Sequence, residues 1–152
     1  MRRLIIACII LGSFTALAAD AVTGRIVKVL PLFLDAQGRD ATAPSLFDRD
    51  AYQVYLREHT DQISAIRYAV QWKASPAKTG KLKIRIELRG IGEGGVPKLK
   101  SLETEVAAGT FSQWTNLKLG GEDYKKIGSV TAWRVTLWVG ERQLGEQKSF
   151  LW

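Results

Sequence analysis

Residues 43–61, APSLFDRDAYQVYLREHTD, gather four carboxylates, the single histidine of the sequence and two tyrosines into nineteen positions. Acids beside a histidine are the raw material of a hydrolase or a metal site, but only if they converge. Ser45, preceded by Pro44, is a helix N-cap, and Asp48 at the third helical position completes an S-x-x-D variant of the capping box. Acids in a first turn also suit the helix macrodipole. On a helix Asp48 and Asp50 stand about 200° apart, so they point to opposite sides and cannot form an acid/base pair. Phe47, Ala51, Val54 and Tyr55 share the face expected to bury, with Tyr52 and Leu56 off that stripe. His59 falls where the helix ends, beside the last carbonyls. The sequence has no G-x-S-x-G elbow and no H-E-x-x-H run. A triad assembled in space is therefore the only route to a hydrolase.

Two other motifs lose their chemistry on inspection. DAQGRD (35–40) offers Asp35 and Asp40 to a cation, but a calcium loop needs alternating oxygens closed by a later glutamate, which is missing. GIGEGG (90–95) satisfies G-x-G-x-x-G, yet VPKLK follows it instead of the helix that would receive a pyrophosphate. It reads as a turn. No metal site, cofactor or catalytic residue is expected.

Binding chemistry is better represented. In SVTAWRVTLWVG (129–140) Trp133, Val135, Leu137 and Val139 alternate with Arg134, Thr136 and Trp138. In KLKIRIELRG (81–90) Leu82, Ile84, Ile86 and Leu88 alternate with Lys81, Lys83, Arg85, Glu87 and Arg89. Placed side by side, these strands would show Arg134, Trp138, Lys83 and Arg85 on one basic, tryptophan-bearing face. Tryptophan beside arginine suits a protein anchor or a sugar platform. Burial of Trp138 under the helix or the Pro31 segment is the competing expectation.

The elements that would carry this face are strands. GRIVKVLPLFL (24–34) is a first strand interrupted by Pro31. ISAIRYAVQWKA (63–74) alternates with period two, and SPAKTG would turn it into a hairpin with 81–90. VPKLKSLETEV (96–106) fits either helix or strand. Strand is preferred, because AAGT then joins it to FSQWTNLKL (111–119). The terminal QLGEQKSFLW gives a last strand whose SFLW would plug the core. Alternation with one wet face marks antiparallel sheets. Seven short strands with short connections resemble an immunoglobulin-like or fibronectin-III-like sandwich. GGEDYKKIGSVTAW, read as a tight turn carrying Tyr124, is similar to the tyrosine corner of such folds. The expected fold is mainly β, an antiparallel sandwich of about seven strands with one short helical insertion. DRDAYQVYLR, the terminal QKSFLW and the N-terminal segment also resemble small exported bacterial proteins of unassigned activity.

That segment is MRRLIIACIILGSFTALAADAV. Arg2 and Arg3 precede an apolar run, Leu4 to Leu17, and Ala16 and Ala18 have A-x-A spacing. Residues 1–18 are expected to be a cleaved signal and 19–152 a single domain, periplasmic or secreted. The apolar run falls short of the roughly twenty residues of a transmembrane helix, so the mature protein is not expected to span a membrane. IIAC loosely resembles a lipobox, but a cut there would leave almost no apolar run. Cys8 is the only cysteine, so the domain would be held without disulfides. The formal charge is +7; without Arg2 and Arg3, twenty basic side chains face fifteen acidic ones, or +5. Export argues against nucleic acid and for an envelope protein or an anionic polysaccharide. The sequence thus predicts a non-catalytic binding or accessory protein of the cell envelope. A carbohydrate-binding module and a hydrolase with a spatially assembled site are the alternatives.

Overall fold

A computed structural model describes residues 22–76 and 80–152; the expected signal and Cys8 lie outside the described residues. Among those residues the chain forms seven strands, two α-helices and two short 3-10 turns. Strands β1 (Thr23–Leu34), β2 (Ala65–Ser75) and β5 (Gln113–Gly120) make one antiparallel sheet in the order β1-β2-β5. Strands β3 (Leu82–Ile91), β4 (Pro97–Val106), β6 (Ser129–Val139) and β7 (Arg142–Lys148) make the other, ordered β4-β3-β6-β7. The alternation read from the sequence is the burial pattern. Tyr68, Val70 and Trp72 of β2, with Leu117 of the neighbouring β5, face Ile84, Ile86 and Leu88 of β3 and Val135 and Leu137 of β6 in one apolar core. The polar atom of Trp72 is met there, its indole Nε1 donating to Thr115 Oγ1 at 2.9 Å. The architecture is the expected sandwich of two antiparallel sheets.

The expected hairpin between β2 and β3 does not form: the two strands belong to opposite sheets. Alternation says which side of a strand is buried, but two facing strands across a core alternate just as two paired ones do. The segment read as either helix or strand is a strand, β4, as preferred, and GIGEGG leads into the turn of the β3–β4 hairpin, with Gly94 and Gly95 at φ 71° and 76°.

Pro31 does not interrupt β1, which runs unbroken and is irregular at Ile26/Lys28 instead. The reason is the direction of its nitrogen. Phe33, two residues on, points its N–H away from β2 to Gln53, and Pro31 faces the same open edge, where a missing donor costs no ladder bond. At the other end of β1 the sheets close on each other. A Cβ on Gly145 of β7 would lie 2.8 Å from Arg25 Cα, and one on Gly24 would lie 2.8 Å from Leu137 Cδ2. Glycine is required for that seam.

Helix α1 (Leu46–Glu58) begins as expected, with Asp48 N donating to Ser45 Oγ at 3.0 Å and Ser45 Oγ bonded to the Asp48 carboxylate. Its buried side is not the one expected. Phe47 is 82% exposed, and Ala51, Val54 and Tyr55 are exposed too, whereas Gln53 and Leu56 are buried. Polar pairing overrides the apolar stripe. Gln53 behaves as a one-residue strand against β1: Phe33 N donates to its Oε1 at 2.8 Å, and its Nε2 donates to Phe33 O at 2.9 Å and to Asp40 O at 3.0 Å. Tyr52 adds a hydroxyl bond to Asp35 Oδ2 at 2.8 Å.

The expected tight turn at residues 120–133 is a second helix, α2 (Gly121–Ile127). Glu122 and Asp123 occupy its first turn, Lys125 and Lys126 its last, and Gly128 at φ 67° caps it. Acid-first, base-last order with a closing glycine is a full helix signature in seven residues. Tyr124 packs from this helix onto the core.

Asp35 organises the DAQGRD loop. Burial pushes its carboxyl up, but N–H groups of Arg39 and Gln37, the Tyr52 hydroxyl and Arg39 Nε all donate to it and outweigh burial, lowering its pKa from 3.8 to about 2. A lowered folded-state value means a stabilisation that is complete above 3.8 and lost as pH falls toward 2. Asp35→Asn is expected to cost about 2 kcal/mol at pH 7 in urea unfolding. The difference from wild type should shrink steadily as the pH is lowered through that window.

Candidate functional site

Strands β3 and β6 are neighbours, and Arg85 and Thr136, Lys83 and Trp138, and Glu87 and Arg134 stand opposite one another. Arg134, Trp138, Lys83 and Arg85 therefore share the outer face of the four-stranded sheet. Helix α1 docks on the edge of β1 in the other sheet and leaves this face uncovered. Trp138 is half-buried by its own neighbours: the Arg85 guanidinium carbon lies 5.5 Å from its ring centroid, and its Nε1 donates to Thr136 Oγ1 at 2.8 Å.

The face is not uniformly basic. Glu103 of β4 takes both Lys83 Nζ, at 3.1 Å, and Arg85 Nε. Hydrogen bonds from Arg85 and then Lys83 lower the Glu103 pKa despite an opposing desolvation. Glu87 takes Arg134 at 2.6 Å, and Glu105 takes Lys81 at 3.2 Å. Within a strand the basic residues dominate; the acids that answer them sit one strand away. The signal was present in SLETEV, where Glu103 and Glu105 fall on the side opposite Leu102, Thr104 and Val106. These half-exposed pairs add little stability, but they offset part of the positive field that would attract an anionic polymer.

A second tryptophan joins the face. The terminal SFLW does not plug the core: Phe150 is 101% exposed and Leu151 is exposed. Ser149 anchors the turn: its N–H donates to Trp133 O at 2.9 Å, its Oγ accepts from Trp133 N at 3.0 Å, and Trp152 N donates to Ser149 O at 3.2 Å. This brings the Trp152 ring to 4.1 Å from the Arg89 guanidinium carbon and 4.9 Å from that of Arg134. Period-two reading could not find this contact, because a turn made it.

The acids and histidine of 43–61 do not converge. Asp48 is spent on the cap, Asp50 pairs with Arg49, and Asp40 pairs with Arg67 at 2.7 Å. His59 Nδ1 donates to Tyr55 O at 2.9 Å, and its ring stacks on Tyr55 at 4.1 Å between centroids. Among the described residues no cluster of three metal-ligating side chains occurs.

The sandwich also holds a cavity of about 990 Å³ that the sequence did not announce. It lies where the sheets part, at the end opposite the glycine seam. Phe33, Ile66, Tyr68, Tyr124, Val130 and Trp133 form its apolar wall, and Arg57, Lys118 and Lys125 stand on its rim. Tyr68 is 0% exposed, and its hydroxyl is buried without a partner. Desolvation raises the Tyr68 pKa well above the ordinary tyrosine value, with nearby Tyr124 adding to it, so the phenol is a neutral donor.

No family model matches this sequence, and no curated protein matches it. A protein from Akkermansia muciniphila, known as a crystal structure, aligns with 85% of this chain and 70% of its own at a TM-score of 0.54 and 9% identity. At that identity the likeness is one of fold.

If paired glutamates hold back the positive field of the outer face, Glu87→Gln with Glu103→Gln should elute from a sulfonate cation-exchange resin at clearly higher salt. The shift should exceed that of Glu58→Gln with Asp61→Asn, which removes equal charge from the end of α1. Equal shifts would show that only net charge matters.

Proposed function

We propose that this chain is an exported, non-catalytic binding protein of the cell envelope that engages a protein partner through the outer face of β4-β3-β6-β7. One observation carries the reading: Trp138 and Trp152 lie on that face under arginine guanidinium groups, with Phe150 fully exposed at its rim. Tryptophan and arginine are the residues most enriched at the centres of protein interfaces. The charges around them are mixed, with Glu87 and Glu103 set among Lys83, Arg85 and Arg134, which favours a partner of mixed charge over an anionic polysaccharide. A sugar platform would want a second aromatic beside Trp138, and its ring has Arg85 there instead. A hydrolase would want His59 on a serine or carboxylate, and its Nδ1 is given to a backbone carbonyl.

The strand order supports the finer fold reading. With strands lettered in chain order, the constant-type immunoglobulin arrangement puts the fourth strand beside the first, second and fifth. Here β4 has moved to the sheet of β3, β6 and β7, so the likeness is to a switched variant of that plan. For export, the support is the N-terminal sequence. Among the described residues no helix is long and apolar enough to cross a membrane.

Photocrosslinking in cells expressing the full chain tests the face directly. A benzophenone amino acid at Ser101, on β4 beside Glu87, is expected to give a discrete protein adduct that Arg89→Ala with Trp152→Ala abolishes. The same probe at Lys73, on the other sheet, should give none. Identical adducts from both positions, or no discrete adduct from Ser101, would overturn the assignment of this face.

A further inference from the structure

The cavity at the open end of the sandwich combines three properties that no part of the outer-face reading uses. Its wall is apolar and aromatic, with Phe33 and Ile66 on one side and Val130 and Trp133 on the other. Its size, about 990 Å³, is at the upper end of the range for small-molecule sites. Its lining also includes a buried donor with nothing to donate to. Tyr68 stands edge-on to Trp133, 6.4 Å between centroids, and both belong to the wall. A hydroxyl left unsatisfied in an apolar interior is costly, so an orphaned one calls for a partner that the protein itself does not supply.

The rim defines the other end of that partner. Arg57, Lys118 and Lys125 are exposed there, and no aspartate or glutamate is among the described residues lining the cavity. Lys125 pairs with Glu122 at 3.2 Å in an exposed contact that water screens. Arg57 lies 6.0 Å from the Phe33 ring centroid, at the border between the cationic rim and the apolar wall. Positive charge above an oily pocket with a donor in its wall is complementary to one kind of molecule.

We infer that this cavity binds an anionic amphiphile, with its apolar body along Phe33, Ile66 and Trp133, a hydrogen-bond acceptor at Tyr68 and its acidic head group at Lys118 and Lys125. The site is independent of the outer sheet face and stands or falls separately from it. The glycine seam explains why this cavity is at this end: β1 and β7 cannot part at Gly24 and Gly145 without losing their closest packing, and the sheets part instead around Phe33 and Trp133.

Calorimetric titration with N-dodecanoylglycine below its micelle concentration tests the inference, since that probe carries an acyl chain, an amide carbonyl and a carboxylate. Saturable one-site binding is expected, with dodecyltrimethylammonium showing none. Tyr68→Phe and the pair Lys118→Ala with Lys125→Ala should each weaken binding about tenfold while both proteins keep the wild-type melting temperature or exceed it. Should Tyr68→Phe fail to fold, Val130→Phe narrows the cavity from its wall and should abolish binding. No saturable binding, equal binding of the cationic amphiphile, or undiminished affinity in Tyr68→Phe would overturn the proposal. The last outcome would assign the Tyr68 hydroxyl to a trapped water.

Discussion

The backbone of an edge strand must bond to something, and in this protein that requirement falls on β1. One side of β1 pairs with β2; the other presents N–H and C=O groups that no strand of its sheet can reach. Three local solutions answer it. Pro31 removes a donor where none is wanted, Gln53 supplies an amide to both backbone groups of Phe33, and β7 closes over Gly24 and Arg25 through Gly145. The placement of α1 follows from the second. The helix is drawn to the edge strand by Gln53 and to the adjoining loop by Tyr52, and its apolar stripe has to face outward as a result.

Because α1 is committed to β1, the outer face of the other sheet is left to its own side chains. It solves exposure by pairing: glutamates of β3 and β4 hold lysines and arginines of neighbouring strands, and arginines lie over the two tryptophans. The result is an ordered surface of mixed charge with large flat groups held in place. Such a surface discriminates by shape and by the placement of charge more than by net attraction.

Much of the fold was legible because period-two burial is a direct consequence of strand geometry. Ile66 to Trp72 and Leu82 to Leu88 are buried where alternation put them, and the neighbouring of β3 and β6 followed from the sandwich plan. What alternation cannot carry is partner identity. It read β2 and β3 as a hairpin although they face each other across the core, and it missed that β4 brings Glu103 against Lys83 and Arg85. The helix misled for a different reason: hydrophobic spacing assumes that burial is driven by apolar area, and here two amide bonds to Phe33 and a phenol bond to Asp35 decided the face. The contact of Trp152 and the cavity beside Tyr68 were beyond sequence reasoning altogether. One is placed by a reverse turn, the other by the divergence of two sheets.

The glutamates of β4 have a second effect that concerns self-association. β4 is an outer strand ten residues long, and its far side carries no partner strand. A long, flat, uncharged edge would recruit the same edge of another copy and propagate. Glu103 and Glu105, together with Lys98 and Lys100, place alternating charge along that edge, so a second molecule arriving in antiparallel register would have to strip water from ionised groups before its first backbone bond formed. The residues that offset the cations of the outer face thus also place charge against pairing along it.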